Sequence, residues 1–326
     1  MKSFTIVLIF LISLFSNAQS DALKGCWILD SITYTNGEPL EINHALYTIF
    51  MEYRIEKNKL VINNSTFFKA TFTSNQILTP YKKSNYKLEG NYLQLTEWGD
   101  DKTYYYLKEE DYLAKYPEFI PRQVTYRGKT LLQENAVVNP FFDEDISLHE
   151  FLISHMKEYK NIVPSNSYFK AKFILTADNQ ITDVTIVDSI NKEFDGKFLK
   201  ALKKAKGKLI NTIGKDMLVA HEFRFLARGK FVTSEERKVA ELMLRADEHY
   251  SKNYFQEALV LYEKAFETEE NRAIIEKHKH FFSSSIIYMG VCYLVLGDTD
   301  NACKAFGKIG DSTNFHVRNY LRNFCQ

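Results

Sequence analysis

The stretch Phe169-Lys170-Ala171-Lys172-Phe173-Ile174-Leu175-Thr176, then Ala177-Asp178-Asn179-Gln180, then Ile181-Thr182-Asp183-Val184-Thr185-Ile186-Val187-Asp188-Ser189 decides how the middle of this chain is read. β-Branched and aromatic residues fill two segments, Tyr168–Thr176 and Ile181–Ser189, around a turn of Ala, Asp, Asn and Gln, the signature of a β-hairpin. On its N-terminal side, Ile146, Leu148, Phe151, Leu152, His155, Met156 and Tyr159 share one broad face of a helix expected over Asp143–Lys160. Asp143, Glu144 and Asp145 suit the positive end of that helix. On the other side, Phe194, Phe198, Leu199, Leu202 and Ala205 mark a helix over Phe194–Lys206, and Met217–Leu226 reads as a last strand. The order helix–strand–strand–helix–strand predicts an α+β domain over residues 143–229.

That order, the quoted hairpin and the helix Phe194–Leu202 after it resemble TonB C-terminal domains. The resemblance implies β-augmentation, in which an extended peptide adds to an exposed sheet edge. The edge expected to do this is the last strand, with Met217, Val219, His221, Phe223 and Phe225 as candidate peptide-binding positions. A blunted edge in a purely structural domain is the alternative. The departures exclude energy transduction from the reading. The chain has six prolines and no Pro-rich arm, Tyr159-Lys160 stands where the family has Tyr-Pro, and Gly207–Lys215 replaces its Trp-x-Pro-Gly stretch.

Upstream, from Gly25, the hydropathy pattern has period two. Strands read off from Trp27-Ile28-Leu29 to Lys102–Leu107, separated by turn signals such as Asn36-Gly37, Asn63-Asn64-Ser65 and Glu89-Gly90-Asn91. Many short strands at this spacing predict an antiparallel barrel or sandwich over residues 22–125, with a linker over 126–142. Leu23-Lys24-Gly25-Cys26-Trp27 resembles the Leu-x-Gly-x-Trp opening of lipocalin-like domains, and Tyr86–Leu95 their later hairpin. Gly25 and Trp27 then carry a structural signature, the Trp packing across the closed end. A barrel of this size is either filled by side chains or holds one small apolar ligand, and both outcomes stay open.

Downstream, Ala246, Ala258, Tyr262 and Ala265 recur 44 residues later as Gly290, Ala302, Phe306 and Ile309, with Tyr250 answered by Tyr293 or Leu294. The spacing resembles tetratricopeptide repeats, whose usual period is about 34, so about ten extra residues around Glu269–His280 must lengthen a helix or loop. An all-α domain is expected over 234–326, with Thr313–Phe324 as a capping helix. Two copies fall short of the three or so that a free-standing array needs.

The chain opens with Lys2, an apolar run from Phe4 to Phe15, and Ser16-Asn17-Ala18-Gln19. This is the pattern of a secretory signal over residues 1–18, cut between Ala18 and Gln19, and too short for the ~20 apolar residues of a membrane span. Loss of Lys2 leaves 41 basic and 41 acidic residues, which offers no electrostatic reason to expect nucleic acid or an anionic membrane surface. Of the four cysteines, Cys292, Cys303 and Cys325 are close enough in sequence for a disulfide whose pairing stays open.

Catalytic, cofactor and metal signatures are missing. His149-Glu150 with His155 has one separation wrong for a zincin, because residues i and i+6 do not share a helix face. Lys277-His278-Lys279-His280 reads as a solvated helix face before it reads as a metal site. The expected protein is multidomain and non-catalytic, exported to the periplasm or beyond, without an integral membrane segment once the signal is removed. It is expected to act as an adaptor for a protein or peptide partner in the cell envelope, and the alternative is a carrier of a small apolar ligand in the first domain.

Overall fold

A computed structural model describes residues 22–164, 167–225, 231 and 233–325. The expected signal, with its cut at Ala18 and Gln19, lies outside the described residues. The chain divides into two compact units: Met1–Pro39 with Met51–Leu226, and Leu40–Phe50 with Ala227–Gln326.

The first unit begins with nine antiparallel strands: β1 (Gly25–Tyr34), β2 (Glu52–Glu56), β3 (Lys59–Ile62), β4 (Thr66–Lys69), β5 (Thr71–Phe72), β6 (Gln76–Leu78), β7 (Lys83–Glu89), β8 (Tyr92–Glu97) and β9 (Lys102–Lys108). They hydrogen-bond in the order β4-β3-β2-β1-β9-β8-β7-β6-β5. The outermost strands, β4 and β5, are joined through Ala70 alone, so the sheet returns on itself and forms a nearly closed barrel with one unpaired seam. Local chemistry sets the hairpins. Asn63 and Asn64 both take positive φ (51° and 50°), which the tight β3–β4 turn requires and Asn tolerates. Period-two alternation points Trp27, Leu29, Tyr53, Ile55, Leu93 and Leu95 into the buried side. The Trp27 indole donates to the Leu23 carbonyl at 2.7 Å, and Gly25 sits at φ +122°. After β9, Glu109-Glu110-Asp111 forms the first turn of a helix, α1 (Glu109–Lys115), where carboxylates suit the positive end. Lys115 then ion-pairs with Asp30 at 2.8 Å.

The expected linker over 126–142 contains strands. Strands β10 (Gln123–Tyr126) and β11 (Lys129–Gln133) form a hairpin turning at Arg127 and Gly128, which both have positive φ. The next element, β12 (Phe141–Phe142), pairs with the short β15 (Leu209–Ile210). The quoted hairpin forms as β13 (Ser167–Leu175) and β14 (Ile181–Asp188), and the last strand as β16 (Met217–Phe225). These make a five-stranded sheet in the order β10-β11-β16-β13-β14. The two helices are α2 (Leu148–His155) and α3 (Lys192–Lys204). The first is shorter than expected because Ser147 and Glu150 close a capping box there, leaving Asp143 to bond Lys208 instead. Phe194 and Phe198 of α3 pack on Phe169 and Phe223, with Phe169 and Phe198 rings 4.7 Å apart, and Leu202 and Phe173 are buried as well. On the opposite face, Leu131 packs with Ile174 and Leu218, flanked by Val124 and Tyr126.

Among its described residues the second unit holds six α-helices: α4 (Ser234–Ser251), α5 (Phe255–Ala265), α6 (Glu269–Lys277), α7 (Lys279–Val295), α8 (Thr299–Ile309) and α9 (Phe315–Phe324). The surplus residues around Glu269–His280 thus become a helix of their own. Ala246, Ala258, Tyr262, Ala265, Ala302 and Phe306 are all buried, and Tyr293 is half-buried. A Cβ on Gly290 would collide with the Phe306 ring, so only glycine lets α7 and α8 approach this closely. Asp247 ties three helices together, accepting from Tyr262 at 2.7 Å and Ser285 at 2.8 Å. Cys303 and Cys325 form a disulfide between α8 and α9, while Cys292 is a buried free thiol.

The segment Leu40–Phe50, which leaves β1 and returns to β2 in the chain, belongs to this helical unit. Tyr47 stacks on Tyr320 at 4.9 Å and Phe50 lies against Phe315 at 4.3 Å. Tyr320 donates to the Ile42 carbonyl at 2.7 Å, and Asn319 donates to the Tyr47 carbonyl at 2.6 Å. The terminal helix is therefore covered by a segment from near the other end of the chain.

Candidate functional site

The seam of the barrel opens into a cavity of about 280 Å³. Its wall is Tyr53, Leu60, Ile62 and Phe68, from β2, β3 and β4, together with Ile77 of β6. Its lip is Thr79, Tyr81, Lys82 and Ser84, all from the β6–β7 connection and the start of β7. The seam explains both sides: with no strand-to-strand ladder between β4 and β5, the interior there is closed only by side chains. Phe68 and Tyr81 approach edge to face at 6.0 Å, yet Tyr81 is 85% exposed, so it leans over the opening rather than filling it. Behind the cavity wall, Tyr53 stacks on the buried Tyr106 at 4.9 Å. Burial pushes the Tyr53 phenol up to about 12, so it stays uncharged at neutral pH.

The lip carries the polar groups. Thr79 Oγ1 accepts from the Lys82 backbone N–H at 3.0 Å, closing the turn on itself. The Lys82 ammonium forms an ion pair with Glu97, whose side chain is the more buried of the two (16% against 49% exposed). The volume lies just below the ~300–1,000 Å³ typical of ligand pockets, and mostly apolar walls with a few convergent polar groups are their usual lining.

The expected peptide edge is not an edge along its first half. Strand β16 lies between β11 and β13, and β11 pairs with it in parallel at Leu132–Met217 and Gln133–Leu218. Beyond that pairing, the Glu134 carboxylate accepts the Ala220 backbone N–H. The side chains of Met217, Val219 and Phe223 are buried, Phe223 and Phe225 meet Phe194 of α3, and His221 faces Phe198. The alternation that looked like peptide-binding positions is the core face of the sheet. The strands at the ends of this sheet are β10 and β14, and the β13–β14 ladder slips register between Lys170 and Ala171 and between Lys172 and Ile174.

The titratable groups singled out in the sequence go to separate places. His149 stacks toward His221 at 5.5 Å and Phe223 at 4.8 Å, whereas His155 packs on Phe151 at 4.2 Å. Lys277 and His278 both reach the buried carboxylate of Glu236, at 2.7 and 3.1 Å. No group of three or more His, Cys, Asp or Glu is placed to hold a metal ion among the described residues. No helix of the described residues is long and apolar enough to cross a membrane.

Two shifted groups, His221 on β16 and Glu134, which bonds the neighbouring Ala220, make a prediction. Burial pushes Glu134 up to about 7, partly opposed by its bond from Ala220. Burial, helped by the nearby His149, holds His221 down at about 4. A carboxyl raised in the fold contributes most below pH 4.5, and that contribution is lost as pH rises toward 7. A histidine lowered in the fold contributes fully above pH 6.5, and that contribution is lost as pH falls toward 4. The two slopes oppose each other. Glu134→Gln, which keeps an acceptor for Ala220, is therefore expected to stabilise at pH 8 by about 2 kcal/mol after allowing for residual hydration, and by little at pH 4. Urea unfolding across pH 4–8 checks this; a gain of equal size at every pH would contradict it.

No family model matches the chain, and neither the curated proteins nor the solved structures yield a match to it.

Proposed function

We propose that this protein is an exported, non-catalytic binding protein whose barrel holds a small, mostly apolar ligand at its open seam. The observation that carries this reading is the cavity of about 280 Å³, with its apolar wall and its polar lip at Thr79–Ser84. The likeness of Leu23–Leu29 to the Leu-x-Gly-x-Trp opening of lipocalin-like domains supports it. Export is supported by the apolar N-terminal stretch, and the Cys303–Cys325 disulfide suits an oxidising compartment. Ligand-observed NMR against a library of small aromatic and branched compounds tests the reading, with an Ile77→Trp variant as the filled-cavity control. Hits on the native protein that vanish in the filled variant support ligand binding. A library that gives no such hit overturns it.

A second reading keeps the protein-partner role and assigns it to the helical unit. Leu244, Tyr254, Val260 and Phe281 are each about half exposed there and offer apolar contact points to a partner. The tetratricopeptide-like spacing of Ala246–Ala265 and Gly290–Ile309 supports it. The covering of α9 by Leu40–Phe50 and the pairing of β16 with β11 count against a peptide at those two places.

A further inference from the structure

The geometry points to an amphiphile as the ligand: a compact apolar body seated on the Tyr53–Phe68 wall, with one carboxylate-type anionic head on Lys82. This rests on the ligand-binding reading and names the ligand class for the same cavity. Among the residues lining the cavity Lys82 alone carries a formal charge, and the charge is positive. The polar groups are not scattered. Thr79 and Lys82 come from the β6–β7 connection and Ser84 from the start of β7, while the opposite wall is mostly apolar, which favours an occupant that is polar at one end. An ammonium has three donors, and its pair with Glu97 engages one carboxylate. Because Lys82 is half exposed, solvent weakens that pair, and an entering anion can share the ammonium with Glu97. A cationic head would meet Lys82 before Glu97, since Glu97 does not line the cavity.

The test uses a matched pair of probes, 1-naphthylacetate and 1-naphthylacetamide, titrated calorimetrically at low salt into the full-length native protein, Lys82→Met and Glu97→Gln. The anion is expected to bind about fivefold more tightly than the amide, a preference that 0.5 M salt reduces. Lys82→Met is expected to abolish the preference, so that the two probes bind with about equal affinity. Glu97→Gln frees the ammonium and is expected to tighten the anion alone. Circular dichroism melts check that each variant folds, and Lys82→Gln replaces the Met variant should that one fail. Equal binding of the two probes, or a preference that survives loss of Lys82, overturns the anionic head while leaving the cavity occupied. Failure of both probes to bind overturns the ligand-binding reading as well.

Discussion

Arg54→Leu is expected to destabilise the β-rich unit by about 3 kcal/mol at pH 7, and by much less at pH 4. Glu52 is 2% exposed on β2 and has Arg54 as its counter-charge at 3.6 Å. Burial raises the Glu52 carboxyl above its ordinary range, Arg54 lowers it, and Glu109 raises it further. Removing the guanidinium leaves a buried carboxylate with a hydrogen bond from Cys26 but no charge to match it, the costly half of a broken buried pair. The loss depends on ionisation. A carboxyl raised in the fold weakens the native state as pH climbs through its folded value, so the variant recovers in acid, where Glu52 takes a proton. Arg54 also lies over the Phe141 ring at 5.0 Å, and leucine keeps part of that contact. Chemical denaturation at the two pH values measures the difference, and the double variant with Glu52→Gln should regain most of it at pH 7. A deficit that is the same at pH 4 and pH 7 would sink the electrostatic account.

Reduction of the Cys303–Cys325 disulfide, or Cys303→Ser, is expected to cost the helical unit about 3 kcal/mol, as loop closure across 22 residues implies. The bond pins α9 to α8, and α9 in turn carries the seat of Tyr47 and Phe50. Hydrogen exchange should therefore rise first in α9 and at the backbone of Leu40–Phe50, while α4 and α5 stay protected. Cys292 does not rescue the pairing by exchange: burial pushes its thiol up to about 12, so almost no thiolate forms at neutral pH. Equal urea midpoints for the oxidised and reduced protein would refute the prediction.

The elements that local pattern specifies were legible in the sequence. The hairpin of β13 and β14 follows from two β-branched runs around Asn179, which takes φ +66°. The crowding of Gly290 against Phe306 follows from a repeat of small and aromatic residues. What local pattern does not specify was misread. Ser147 and Glu150 carried the helix-start signal, but the acidic run at Asp143–Asp145 drew the expected boundary too early. The turn at Arg127-Gly128 sat between two strands of four and five residues, too short for their alternation to stand out. The place of β16 depends on a two-residue parallel pairing with a strand far away in the chain, and such pairing leaves no periodicity behind. Alternation identified the inward side chains of the barrel, but not whether they fill its volume, because that turns on the missing ladder at the β4–β5 seam.

The seat of Leu40–Phe50 on the last helix also orders the protein's birth in time. Tyr320 bonds a carbonyl 278 residues earlier in the chain. At ~5–20 residues per second, the early segment waits on the order of tens of seconds for its partner to be synthesised. The helical unit therefore cannot mature in step with synthesis. Its final closure comes only after α9 has been made and has met Leu40–Phe50.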